Sequence, residues 1–142
     1  TDSGTFDYFT EVINGDSGSS RPDYTASEDD NVLVQGISGD LSSLGFFGYA
    51  YYIANEDVLK LVPLDGGTGP VSPSDTTINN GAYSPLSRPI FIYVSKPSAT
   101  RPEVRAFVEF YLEQAPALAA EVGYVAMPAA EYQLSKDAFT TF

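Results

Sequence analysis

Residues 89–112 constrain the fold more than any other stretch. Pro89-Ile90-Phe91-Ile92-Tyr93-Val94-Ser95 is almost unbroken in apolar, β-branched and aromatic residues, which reads as a strand covered on both faces, as in a mostly parallel sheet. Directly after it, Val104, Phe107, Val108, Tyr111 and Leu112 fall at i, i+3, i+4, i+7 and i+8 and predict an amphipathic helix. Thr100 with Glu103 offers a capping box, and Pro102 suits the first turn. A buried strand feeding a helix is the unit of α/β folds, so the expected class is α/β, a three-layer α/β/α sandwich, with a boundary near Tyr83 to Pro89.

The remaining chain fits that class. Ser27 followed by Glu28, Asp29 and Asp30, with Val32, Leu33 and Ile37 behind, predicts a short helix over about 28–37 that Gly36 or Gly39 ends. Leu44 to Tyr52 reads as a buried strand turning into helix, and Val58 to Leu64 as a strand ending in the Asp65-Gly66-Gly67-Thr68-Gly69-Pro70 loop. One helical turn is expected around Pro73 to Asn79. Pro116 is expected to open a second short helix that Gly123 ends, and Pro128 a third running towards Phe139.

The start of the chain carries the chemistry. Phe6, Phe9 and Ile13 fall at i, i+3, i+7, and Tyr8 and Val12 at i, i+4, so a helix begins at about Thr5, with Ser3 or Asp2 as its N-cap. The first N–H groups of a helix have no internal acceptor and carry the positive end of its dipole. Hydroxyls on both sides of Gly4 therefore suit an oxyanion. Self-capping by Ser3 is the plainer reading of these residues taken alone.

Composition removes several alternatives. The 142 residues are 43% hydrophobic and 13% aromatic, enough for one ordinary core. Nineteen acidic residues against seven basic give a net charge of -12, without the Lys/Arg cluster that nucleic acid or an anionic membrane requires. The same charge does not forbid anion binding, because exposed carboxylates beyond about 8 Å are largely screened at physiological salt while helix N–H groups touch the ligand. With neither cysteine nor histidine, the chain has no thiolate nucleophile, no disulfide and no His-dependent zinc site. It lacks an initial Met, a signal-peptide pattern and a spanning apolar run, and reads as a processed or excised piece of a soluble protein.

Other motifs carry less. Gly15-Asp16-Ser17-Gly18 resembles the nucleophile loop of chymotrypsin-like proteases, but no histidine exists to take the Ser17 proton, so a turn is the expected structure. Glu28-Asp29-Asp30-Asn31 and Asp65-Gly66-Gly67 lack the ligand spacing of a calcium loop, and Gly36-Ile37-Ser38-Gly39 and Gly66-Gly67-Thr68-Gly69 lack that of nucleotide turns. The aromatic residues from Gly45 to Tyr52 are expected to pack rather than to stack on a ligand. Arg88, beside the boundary, is expected to pair with an acid, the alternative being a place near a ligand.

Thr1-Asp2-Ser3-Gly4-Thr5-Phe6-Asp7-Tyr8-Phe9 resembles the anion-binding helix start of the periplasmic phosphate-binding proteins of phosphate ABC transporters. Gly36-Ile37-Ser38-Gly39, Leu44-Gly45-Phe46-Phe47-Gly48-Tyr49-Ala50-Tyr51 and Tyr83-Ser84-Pro85-Leu86-Ser87-Arg88-Pro89-Ile90-Phe91-Ile92-Tyr93-Val94 resemble later segments of that family in the same order. The likeness corresponds to the C-terminal half of a member. It implies a type II periplasmic-binding-protein fold, incomplete here, with residues 1–88 forming most of the second, anion-binding lobe and 89–142 the return strand and C-terminal helices of the first. It further implies a non-catalytic solute-binding component, periplasmic or in the cell envelope, without cofactor or metal, that passes inorganic phosphate to a membrane ABC permease. Ser3, Gly4 and Thr5 match the family's phosphate ligands, with Asp2 as a supporting residue, while the family's arginine lies just before this stretch in some members and the hydroxyl and carboxylate ligands of the first lobe, the carboxylate accepting a proton from hydrogen phosphate, would lie earlier still. A complementary N-terminal segment or chain is the expected partner. Two readings from other classes stand beside it: a structural or interaction module that kept the fold without the ligand, and a hydrolase using Ser17 or an aspartate pair.

Overall fold

The computed structural model describes residues 3–141. Seven helices and one short hairpin follow in the order α1 (Gly4–Asn14), α2 (Asp30–Ser38), α3 (Tyr49–Ile53), β1 (Leu64–Asp65), β2 (Pro70–Val71), α4 (Asp75–Asn79), α5 (Lys96–Ala99), α6 (Pro102–Glu121) and α7 (Ala129–Thr140). β1 and β2 pair antiparallel, Leu64 opposite Val71, and form the only sheet among the described residues. The described chain is therefore α-rich, where the sequence pattern predicts a layered sheet.

The difference has a physical source. The segment 89–94 forms no regular element, and among the described residues no strand lies beside it to accept or donate ladder bonds. Ile90, Phe91 and Tyr93 are 62%, 65% and 91% exposed, so both faces of the predicted buried strand are open. Leu44 to Gly48 and Val58 to Pro63 are likewise irregular, with only Leu64 reaching the hairpin. The accessible surface is 9978 Å² for 15.2 kDa, against about 7,100 Å² expected of a compact monomer of that mass.

The best-defined core belongs to the last three helices. Ala99 of α5, Val108 and Leu112 of α6 and Phe139 of α7 are buried together, with Val94 and Val104 packed against them. Phe107, Phe110 and Tyr111 of the same helix stay exposed. The helical repeat was read correctly, but only part of its apolar stripe is covered. α6 starts after Arg101 without a side-chain cap, because Thr100 Oγ1 donates instead to Pro97 O at 2.8 Å and Glu103 pairs with Arg101. It also runs through Pro116, where a separate helix was expected.

α1 packs through aromatic rings: Phe6 stacks on Tyr24, and Phe9 on Phe46. Its one fully buried residue is Thr10, whose Oγ1 donates to Phe6 O at 2.8 Å and accepts from Gly18 N at 2.8 Å. That bond folds the Gly15–Ser19 loop back on the helix. Gly15 ends α1 with φ 79°, a left-handed conformation that a side chain disfavours.

Candidate functional site

Ser3 is the N-cap of α1, in extended conformation with φ -131° and ψ 113°, and its Oγ accepts from Phe6 N at 3.3 Å. Its carbonyl accepts the first intrahelical bond, from Asp7 N at 3.0 Å. Of the four N–H groups that have no intrahelical acceptor at a helix start, the cap thereby satisfies one, that of Phe6. The N–H groups of Gly4 and Thr5 are two of the remaining three; among the described residues neither has an acceptor, and both residues are exposed. A hydroxyl accepts and donates at once, so Ser3 can cap the helix and still present its proton outward. The expected N-cap is thus in place with Ser3, Gly4 and Thr5 on one exposed turn, whereas Asp2 lies outside the described residues.

A cation stands beside that turn. Arg88 Nη2 lies 3.5 Å from Gly4 O, and the guanidinium sits 4.4 Å above the centre of the Tyr8 ring. Tyr8 in turn donates its hydroxyl proton to Pro85 O at 2.6 Å, closing a loop of contacts between α1 and residues 85–88. Ser87 N donates to Tyr83 O at 2.8 Å within this turn, which contains a cis Ser84–Pro85 bond. Gly66 backs it so closely that a Cβ there would come 2.4 Å from Ser84 O. Tyr83 is half-buried, and burial pushes its phenol above the ordinary value.

The expected acid partner of Arg88 is not found among the described residues; its neighbours are an aromatic face and a helix start. By contrast Arg21, Arg101 and Arg105 pair with Asp23, Glu103 and Glu109. The arrangement of Tyr8 under Arg88 was not readable from sequence, where Tyr8 counted as part of the buried helix face.

Other parts of the molecule offer less. Ser17 lies in a turn closed by Ser19 N donating to Asp16 O and Gly18 N to Thr10 Oγ1, and the chain has no histidine to act as its base. Among the described residues no group of three or more Asp or Glu gathers as a metal site. Two shallow depressions, of about 240 Å³ around Leu112 and Phe139 and about 310 Å³ around Ala50 and Gly123, lie away from Ser3. No described helix is long and apolar enough to cross a membrane.

The comparisons with known proteins point to phosphate-binding relatives. No family model matches the sequence. The SphX protein of Synechocystis is 52% identical over 139 residues, 97% of this chain and 41% of the relative. The phosphate-binding protein PstS of Staphylococcus haemolyticus is 37% identical over 134 residues, 92% of this chain and 40% of the relative. The chain is homologous to the phosphate-binding proteins. A crystal structure described as a possible phosphate-binding protein from Planctomyces limnophilus superposes with TM-score 0.88 at 46% identity, covering 99% of this chain and 51% of that one. This PstS-like chain thus spans about two fifths of the curated relatives it matches and about half of the solved structure.

Proposed function

We propose that this chain contributes one wall of a phosphate site in a non-catalytic solute-binding protein, with the anion held at the start of α1 by the N–H groups of Gly4 and Thr5 and the hydroxyls of Ser3 and Thr5. Asp2 is a supporting residue in this reading. The observation that carries it is the pair of N–H groups without described acceptors at an exposed, Ser-capped helix start in a chain homologous to PstS. Oriented N–H donors and the helix dipole favour a negative group there without any added charge.

In the whole protein, residues 1–88 form most of the anion-binding lobe and 89–142 the return strand and C-terminal helices of the other, in a three-layer α/β/α fold of the type II periplasmic-binding-protein kind. The open faces of 89–94 support this, since an apolar extended segment needs flanking strands and covering layers. A complementary N-terminal segment or chain supplies them, together with the remaining phosphate ligands. The assembled protein works in the periplasm or cell envelope and hands phosphate to a membrane ABC permease.

The cap bond from Phe6 N to Ser3 Oγ favours one other reading, a module that keeps the fold and uses Ser3 only as a cap. Calorimetry separates them. With Ser3, Gly4 and Thr5 as its only share of the site, the 142-residue chain binds phosphate weakly, with Kd above about 1 μM, and less well as salt rises. Submicromolar affinity would overturn this division of the site, and no binding at millimolar phosphate would favour the cap-only module.

A further inference from the structure

We propose that the Asn80-Gly81 pair after α4 is a site of spontaneous covalent modification, at which Asn80 closes on the next peptide nitrogen and opens to aspartate and isoaspartate. Two Asn-Gly pairs occur in the chain, Asn14-Gly15 and Asn80-Gly81. Asn before Gly is the pair most prone to this reaction, because a residue without Cβ leaves its amide nitrogen open to approach. The Gly nitrogen gives up its proton to solvent and bonds to the Asn Cγ, the Cγ–Nδ2 bond breaks, and the nitrogen leaves as ammonia with a proton from water. Water then opens the five-membered imide at either carbonyl, so that amide plus water becomes acid plus ammonia with no other reactant.

The two pairs share the motif and differ in their hydrogen bonds. At both glycines a Cβ would meet nothing within 4 Å, so crowding does not separate them. Asn14 is the last residue of α1, where Gly15 N donates to Glu11 O at 2.9 Å and Asn14 Nδ2 to Ser19 O at 2.6 Å. Nucleophile and leaving group are both tied there, and both bonds must open before the ring can close. At the other pair the nucleophile is loosely held: Gly81 N donates to Ile78 O at 3.3 Å, longer than an ordinary N–H···O bond. Asn80 Oδ1 accepts from Ala82 N at 3.0 Å, an Asx turn that draws the carboxamide over the Gly81 peptide and polarises its carbonyl. Asn80 Nδ2 has no acceptor among the described residues, and Asn80 and Gly81 are both exposed. The flanks are anchored, by Asn79 Nδ2 to Ala126 O at 3.0 Å and by Tyr83 N to Thr77 O at 2.9 Å. Isoaspartate at 80 therefore adds a backbone atom between two fixed points, just before the 83–87 turn that meets Tyr8 of α1 through Pro85 O.

The test incubates the unaltered protein in mildly alkaline buffer, with and without urea, and follows both pairs over time by peptide mass spectrometry, with isoaspartate read separately by enzymatic methylation. In the folded protein Asn80 is expected to deamidate roughly tenfold or more faster than Asn14, since each hydrogen bond that must open first lowers the rate. Isoaspartate is expected among the products at 80, and in urea the two pairs should react at similar rates. Equal rates in the folded protein, or faster loss of Asn14, would overturn the proposal. So would an Asn80 that stays intact in the folded protein, or a preference for Asn80 that persists undiminished in urea and so owes nothing to the fold. Aspartate at 80 without isoaspartate would mean direct hydrolysis and contradict the ring-closing step.

Discussion

Replacing Ser3 by Asp separates capping from ligand binding at one atom position. Ser3 Oγ accepts from Phe6 N at 3.3 Å, and an Asp carboxylate makes the same bond, since Asp and Ser are equally good N-caps. A negative charge at the positive end of α1 adds about 0.3–1 kcal/mol of helix stability. The fold is therefore expected to be unchanged or slightly firmer. Phosphate meets the opposite effect: the outward hydroxyl proton is gone, and a carboxylate stands about 4 Å from the anion, a repulsion of about 1 kcal/mol in bulk water and about 4 kcal/mol at an effective dielectric of 20. That corresponds to an affinity lower by roughly five- to a thousandfold. Ser3→Ala, by comparison, loses both the cap, at about 1 kcal/mol, and the donor, so it cannot tell the roles apart. Urea unfolding and a phosphate titration on the same S3D sample give both numbers. Wild-type phosphate affinity in a normally stable S3D protein would refute the assignment of Ser3 as a ligand.

Thr10→Val removes the acceptor that ties Gly18 N–H to the buried Thr10 hydroxyl and is expected to destabilise the protein by about 0.5–1.5 kcal/mol in urea unfolding, the usual net worth of such a hydrogen bond; Thr10→Ser, which keeps the hydroxyl, should lose less, and a neutral Val variant would contradict the account of the loop. Burial holds the Tyr83 phenol above its unfolded value, so the unfolded chain ionises first: the stability Tyr83 contributes is complete below about pH 10 and is lost as pH rises above it. Tyr83→Phe should flatten the alkaline limb of a stability-versus-pH curve, and an unaltered limb would show that Tyr83 does not cause it. Open apolar faces at Ile90, Phe91 and Tyr93 predict concentration-dependent association of the 142-residue chain in sedimentation, reduced by Phe91→Asp; a monomer at every concentration would mean these faces are not adhesive.

What could be read from sequence divides along the range of the interactions. α1 begins one residue from its expected start and ends at Gly15 because cap and stop are written within a few residues of the helix itself. α2 starts two residues later than expected: Asp29 N donates to Ser27 Oγ at 3.0 Å, and that local turn moves the cap from Ser27 to Asp29. Ser74 and Thr77 make a full capping box for the short helix expected near Asn79. Pro116 misled because it sits among alanines at 115, 117, 119 and 120, strong helix formers that carry α6 past a missing N–H. Strand pairing is different in kind, since the residues that complete a ladder stand far away in sequence or in another polypeptide, and the pattern at 89–94 records the need for partners without supplying them.

The same division holds at the site. Ser3, Gly4 and Thr5 announce an anion-ready helix start through cap chemistry alone, and the resemblance to phosphate-binding proteins named the anion. Arg88 reaches Gly4 across 84 residues of sequence, and Tyr8 reaches Pro85 across 77, so no local pattern could join them. An acid partner was expected for Arg88, but among the described residues an aromatic face and a helix start stand beside it instead.

Adding inorganic phosphate to uniformly ¹⁵N-labelled protein and following every backbone amide tests the central claim most directly. Hydrogen bonding to an oxyanion moves an N–H resonance downfield, so the amides of Gly4 and Thr5 are expected to shift most, saturably and together, with Ser3 following and the α7 amides still. Saturable shifts that bypass residues 3–5 and gather elsewhere, or no shifts at all at millimolar phosphate, would contradict the placement of the anion at the start of α1.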